Sequence, residues 1–231
     1  AWLPSTPQPD PAWGMAQALQ QPAAVSGDSA PLEAGARQAV LPAQRVPLLR
    51  LVGQIASTYL VAEGPDGLYI IDQHAAHERV MYEKTLAARA GRTPSTQALL
   101  ESQPIDLSPV ETVSLTAHSG LLERFGFVFE AFGGRSYLVR GIPAALSGSD
   151  WLTALHEFLN STESQSHTEE GIAEIIACHS AIRAGKILSP DEIRALLLDL
   201  EKARVPNTCP HGRPTLMKLE TSALERHFKR T

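Results

Sequence analysis

Leu68-Tyr69-Ile70-Ile71-Asp72-Gln73-His74-Ala75-Ala76-His77-Glu78 is the stretch on which the reading of this chain turns. The apolar run from Leu68 to Ile71 reads as a strand, while Ala75, Ala76, Glu78, Arg79 and Met81 are good helix formers. The passage predicts a strand that runs directly into a helix, with Asp72 at the junction. On that helix His74 and Glu78 stand four residues apart and project from one face. With Asp72 they offer an imidazole and two carboxylates, a donor set that suits a divalent cation. Plainer alternatives stand beside this one. Asp72 could be a helix N-cap, and His74 with Glu78 an ordinary solvated pair. His77 could replace His74 as the ligand, and the order His74-x-x-His77-Glu78 is not that of the zinc peptidases.

Working outward, residues 49–54 and 58–62 read as strands, and Gly64-Pro65-Asp66-Gly67 is a strong turn that pairs the second of these with residues 68–71. The helix from His74 runs to about Ala90, where Gly91-Arg92-Thr93-Pro94 breaks it. Residues 97–107 follow as a strand, and Ser108-Pro109 opens a helix to about Phe125. Residues 127–132 and 136–142 flank Gly133-Gly134, a hairpin signal. A short helix at 151–159, a polar loop at 161–167 and a helix through Cys178 come next. Ser189, Pro190 and Glu192 fit the N-cap, N1 and N3 positions of a further helix, whose apolar side carries Ile193, Leu196, Leu197 and Leu200. A strand at 215–219 and a helix at 221–228 close the chain. The fold class is mixed α/β.

The second informative stretch is Cys209-Pro210-His211-Gly212-Arg213-Pro214. Cys-x-His sets a thiolate and an imidazole on the same side of an extended segment. The prolines stiffen the loop and Gly212 permits a tight backbone. The other cysteine, Cys178, precedes His179. A single disulfide is one possibility, but low cysteine content without a signal peptide points to reduced thiols in a cytoplasmic protein, with metal binding or core burial as their role. Cys178 suits either.

Residues 1–45 are rich in Pro, Ala, Gln and Ser, without periodicity, and read as a disordered linker. The first residue is Ala1, not Met, as in a fragment of a longer protein. No stretch has the length of a transmembrane helix, so no membrane association is expected. The formal charge is −5. That is not the balance of an autonomous DNA binder, and the basic residues between Arg183 and Arg230 read as solvated surface.

Taken in order, Asp72-Gln73-His74-Ala75-x-x-Glu78-x-x-x-x-Glu83, then Ala177-Cys178-His179-Ser180-Ala181-Ile182-Arg183-Ala184-Gly185, then Cys209-Pro210-His211-Gly212-Arg213-Pro214 and a closing Phe228-Lys229-Arg230 form a pattern. It resembles the C-terminal domain of bacterial DNA mismatch repair MutL proteins, in the branch with latent endonuclease activity, from about Val46 to the end of the chain. The resemblance implies a homodimerising, metal-dependent nicking endonuclease. It implies a metal site of Asp72, His74, Glu78, Cys178, Cys209 and His211, with Asp72, His74 and Glu78 as its catalytic part. Thiolates with His211 favour a regulatory zinc, and Asp72 with Glu78 favour manganese or magnesium. ATP would bind only at an N-terminal domain absent from this sequence. The implied partners are a second copy, DNA held weakly by this part alone, the mismatch-recognition protein MutS, and a sliding clamp.

Because the matching residues come from both ends of the folded region, those ends must meet. Residues 46–90 and 171–231 then form a discontinuous dimerisation lobe with a small sheet and helices, and residues 91–170 an inserted external lobe. Glu83 matches the motif, but it lies nine residues from His74, about 900° around a helix, on the opposite face. A structural role such as pairing a basic side chain is expected of it. The clamp-binding pattern of the family, Gln-x-x-(Leu or Ile)-x-Pro, meets Gln97-Ala98-Leu99-Leu100-Glu101-Ser102, where Ser102 replaces the proline. Leu99 and Leu100 could equally be the inward face of a strand. Beside the nicking enzyme stand two other readings: a dimerisation and interaction module with a structural zinc, and an unrelated zinc hydrolase of small substrates. The second lacks any Gly-rich or aromatic pocket motif to support it.

Overall fold

A computed structural model describes residues 46–90, 95–162, 166–183 and 185–230. The linker expected at 1–45 and the helix breaker at 91–94 lie outside these residues. Strands β1 (Arg50–Ile55), β2 (Tyr59–Gly64) and β3 (Gly67–Asp72) form an antiparallel meander. Strand β3 passes without a break into helix α1 (Gln73–Ala90), as the apolar run followed by helix formers predicts. Then come β4 (Thr96–Asp106), α2 (Pro109–Arg124), β5 (Val128–Gly133), β6 (Ser136–Pro143), α3 (Trp151–Asn160), α4 (Glu169–Ser180), α5 (Pro190–Lys202), β7 (Leu216–Glu220) and α6 (Thr221–His227). The first sheet has the order β1-β2-β3-β7 and the second β4-β6-β5, all antiparallel. The late strand β7 therefore returns to the first sheet, which brings the two ends of the folded region together.

The expected turn at 64–67 pairs Gly64 with Gly67 across Pro65-Asp66. Gly67 has φ +143°, and a Cβ there would lie 2.3 Å from the Leu219 carbonyl on β7, so only glycine lets this hairpin tip sit against the last strand.

Two apolar clusters fill the interior. One joins Leu60, Ala62 and Ile71 of the first sheet to Ala76 and Val80 of α1 and to Ile193, Leu196, Leu197 and Leu200 of α5. The other gathers the second sheet, α2 and α3 around Leu122, Val139, Leu155 and Phe158. Helix α4 gives Ile172, Ala173, Ile175 and Ile176 to this second cluster, and α1 packs Tyr82 and Leu86 against it. Each fully buried Leu or Ile contributes about 1.5–3 kcal/mol.

Helix starts follow the sequence signals. Asp72 Oδ1 accepts from the backbone N–H groups of His74 (2.9 Å) and Ala75 (3.0 Å), so it caps α1. Ser189 and Glu192 form a capping box with Pro190 at the first turn of α5, and Ser108 with Glu111 does the same for α2. In β4 the pairing jumps from Ala98–Gly141 to Gln103–Val139, leaving residues 99–102 opposite Arg140. That bulge separates the two leucines: Leu99 packs on the second cluster and Leu100 is fully exposed. An inward strand face thus accounts for Leu99 and not for Leu100.

Two polar ties hold the layers in place. Glu111 is buried, accepts from Ser108 N–H (2.8 Å) and Asn160 Nδ2 (2.7 Å), and contacts His156 Nδ1 (2.6 Å), so it bolts α2 to α3. Burial alone would raise its pKa, but the hydrogen bonds from Ser108, His156 and Asn160 outweigh it and hold the carboxyl down at about 2. The second tie fixes the loop after α5. Arg79 Nε donates to the Thr208 carbonyl (2.5 Å), and Glu83 accepts from the N–H groups of Arg204 (2.7 Å) and Val205 (3.2 Å). Glu83 and Arg79 also lie side by side, 3.9 Å apart. Glu83 thus grips backbone more closely than any basic side chain.

Since the pKa of Glu111 is depressed from 4.5 to about 2, its stabilising effect is complete above pH 4.5 and fades as the pH falls through 2. Glu111→Gln should cost roughly 1–3 kcal/mol at neutral pH. The melting-temperature gap to the parent should close within that acid window, and a pH-independent gap would count against the assignment. For the loop, Glu83→Ala should speed hydrogen exchange at the Arg204 and Val205 amides by at least tenfold, about 1.4 kcal/mol, while the amides of α1 keep their protection.

Candidate metal centre

The strand-to-helix junction places Glu78 one turn inside α1, facing inward. Its carboxylate is 1% exposed, and neither oxygen makes a hydrogen bond of good geometry. Around it stand three groups that offer lone pairs. His74 Nε2 is 3.2 Å from Oε1 and His211 Nδ1 is 3.5 Å from Oε2. Glu78, Cys209 and His211 each present a ligand atom, all within 4.8 Å of one another.

The imidazoles are aimed by their outer nitrogens. His74 Nδ1 lies 2.8 Å from the Ile182 carbonyl, which can only accept, so Nδ1 carries a proton. In the neutral ring Nε2 is then a lone pair turned toward Glu78. His77 Nδ1 accepts instead from the Ile182 N–H (3.3 Å), and burial, followed by Lys84 and His74, pulls its pKa down to about 4. The segment after α4 thus uses one residue to set both histidines, and His74 is the one that faces Glu78.

The loop carrying Cys209 and His211 closes through Cys209 N–H to the Arg213 carbonyl (2.8 Å) and Gly212 N–H to the Cys209 carbonyl (3.0 Å). Gly212 takes φ +78°, a conformation most side chains resist. Cys209 is buried at 1% exposure. Burial pushes its thiol pKa up, more than the backbone groups of Arg213 and His211 pull it down, and the Glu78 carboxylate adds to the rise. A soft divalent cation would bind the thiolate and release that proton.

The remaining sequence candidates lie around this cluster without joining it. Asp72 spends Oδ1 on capping α1. Cys178, on α4, has its thiol pushed up by burial and then by Glu78 and Glu157. It lines a cavity of about 390 Å³ with Glu157, Glu170, Glu174 and His211. The two cysteines are free thiols and form no disulfide.

Sequence reasoning missed two residues here. Gln73 is wholly buried and donates to the carbonyls of Ser57 (2.9 Å) and Lys186 (3.0 Å), so it ties the β1–β2 turn and the loop after α4 to the start of α1. Glu174 reaches His211 Nε2 at 3.2 Å. Its spacing of four residues before Cys178 was the available signal, since both then share one helix face.

Among the described residues no helix is long and apolar enough to cross a membrane. The family model for the MutL C terminal dimerisation domain matches residues 52–188. That span holds Asp72, His74, Glu78 and Cys178 and ends before Cys209. The chain is also 35% identical to the DNA mismatch repair protein MutL of Symbiobacterium thermophilum, over 95% of this chain and 37% of that protein. Proteins of the same description from Koribacter versatilis and Syntrophobacter fumaroxidans are 39% and 41% identical, over 82% and 79% of this chain and 31% and 28% of theirs. The chain thus spans about a third of the length of the curated relatives it matches. The matched span covers more than half of the chain: the chain belongs to the family of MutL C terminal dimerisation domains.

Proposed function

We propose that this chain is the dimerising part of a DNA mismatch repair protein and that it carries a metal-dependent nicking endonuclease centre. One observation supports the metal centre above the rest: a carboxylate removed from water, without a hydrogen bond, beside a buried thiol and two imidazoles. An isolated buried charge costs several kcal/mol, so such a set fits a cation well.

Cys209, His211 and Glu78 would hold zinc, with His74 and Cys178 at its edge, and Glu78 with Asp72 would serve manganese or magnesium. A bound divalent cation supplies Lewis acidity and a water of lowered pKa, the chemistry that phosphodiester hydrolysis needs. The side chains of this protein hold and orient. Glu78 offers two buried oxygens beside His74 and His211, His74 is aimed by Ile182, and Arg79 with Glu83 fixes the loop that presents Cys209. Asp72 caps through Oδ1 and can offer Oδ2 at the same junction. The neighbouring acidic cavity and the net charge of −5 make DNA affinity weak for this part alone. An attached ATPase domain, MutS or a sliding clamp would then bring it to DNA by raising the local concentration. The capping duty of Asp72 favours a second reading, a non-catalytic interaction module with a structural zinc.

Dimerisation would use the outer face of the first sheet. Directly opposed residues of antiparallel strands share a face. Leu60, Ile71 and Leu216 point to the core, so Ile55, Tyr59, Val61, Ile70 and Met217 point away from it. Ile55, Tyr59 and Met217 are exposed, and an apolar sheet face of this kind fits a two-fold partner.

Three experiments test these readings. In the full-length protein, about one zinc per chain is expected, and Cys209→Ser should release it. Manganese-dependent nicking of supercoiled plasmid should fall roughly a hundredfold or more in both Asp72→Asn and Glu78→Gln. Wild-type nicking by either variant would leave the interaction module as the better account. For the dimer, Tyr59→Glu with Met217→Glu should convert a sedimenting dimer to a folded monomer at about 10 μM. An unchanged dimer would place the interface elsewhere.

A further inference from the structure

His211 stands between two carboxylates. Its Nδ1 is 3.5 Å from Glu78 Oε2, and its Nε2 is 3.2 Å from Glu174 Oε1. A neutral imidazole carries one proton and one lone pair, so it can donate to only one of them. The contact at Nε2 is the shorter of the two, which favours the proton there. Nδ1 is then a lone pair directed at the side where Glu78 and Cys209 converge. His74 repeats the arrangement with the Ile182 carbonyl in place of Glu174.

We propose that Glu174 is the positioning residue of this centre: by accepting the Nε2–H of His211 it turns the Nδ1 lone pair toward the metal position and makes it a stronger donor. This rests on the reading of Glu78, Cys209 and His211 as a metal centre. Carboxylates in this position raise the basicity of a ligating histidine and fix its ring, and losing one weakens metal binding about 10- to 100-fold. Glu174 is well placed for the role. Its backbone belongs to α4, whose neighbours Ala173, Ile175 and Ile176 are locked in the second apolar cluster, while its side chain reaches the cavity wall beside Cys178. The helix that anchors one apolar cluster thus aims a histidine that comes from the loop before β7.

Zinc affinity is measured on the whole chain by competition with a chromophoric chelator, for the parent, Glu174→Gln and Glu174→Leu. Both variants should fold with the parent's circular dichroism, because Glu174 is partly exposed. Both should bind zinc about 10- to 100-fold more weakly. In the metal-free chain, nitrogen NMR of His211 should report the Nε2–H tautomer in the parent and a mixture in Glu174→Leu. Affinities within twofold of the parent, with an unchanged tautomer, overturn the role of Glu174 and leave the metal centre standing. A parent that binds no zinc overturns both. X-ray absorption showing one oxygen ligand fewer in Glu174→Gln would make Glu174 a direct ligand and overturn the positioning role.

Discussion

Taking a carboxylate out of water costs several kcal/mol unless a partner stands beside it, and Glu78 is buried with His74 Nε2 at 3.2 Å and His211 Nδ1 at 3.5 Å. Its helix cannot turn it outward, because Ala76 and Val80 on the same helix lie in one apolar cluster while Tyr82 and Leu86 pack against the other. His74 is turned toward it by the Ile182 carbonyl on its far side, and His211 lies between it and Glu174. Cys209 arrives on a loop whose approach is set by Arg79 and Glu83 from the same helix. One helix therefore contributes the carboxylate, one imidazole and the clamp that delivers the thiol. The rest of the centre is arranged around that economy of position.

What could be read from the sequence follows from the range of the forces involved. The turn at 64–67, the strand-to-helix junction at Asp72 and the capping box at Ser189 are local, set by residues within a few positions of one another, and they appear in the structure where the residues place them. The motif pairing implied that the two ends meet, but it did not say that β7 would join the first sheet beside β3. Helical phase separated Glu83 from His74, but it could not say that the far face of α1 meets the backbone at 204–205. The spacing of Glu174 from Cys178 placed both on one helix face, but its partner lies 37 residues further along the chain, beyond what local spacing reports. The bulge that turns Leu100 outward depends on a register jump between β4 and β6, and no single strand records it.

His74 and His77 meet the same backbone residue in different ways. Both imidazoles lie on α1 within one turn of Glu78, and spacing alone admits either. Ile182 contacts each through one of its two backbone groups. Its carbonyl takes the proton of His74, and its N–H occupies the lone pair of His77. A histidine whose lone pair is already bonded to backbone has lost that nitrogen as a ligand. Ile182 belongs to the conspicuous Cys178-His179-Ser180-Ala181-Ile182 run, so that run acts on the centre through backbone as much as through its cysteine.

The outer face of the first sheet and the start of α1 meet at one strand end. Strand β3 presents Ile70 to that face and Ile71 to the core, and one residue later it ends in Asp72, the cap of α1. Helices α1 and α5 already pack on one face of that sheet, and the other face presents Ile55, Tyr59 and Met217 to solvent. Glu78 sits six residues beyond the junction, on the helix that leaves the sheet. The position of that carboxylate and the outer face of the sheet therefore depend on the same strand end.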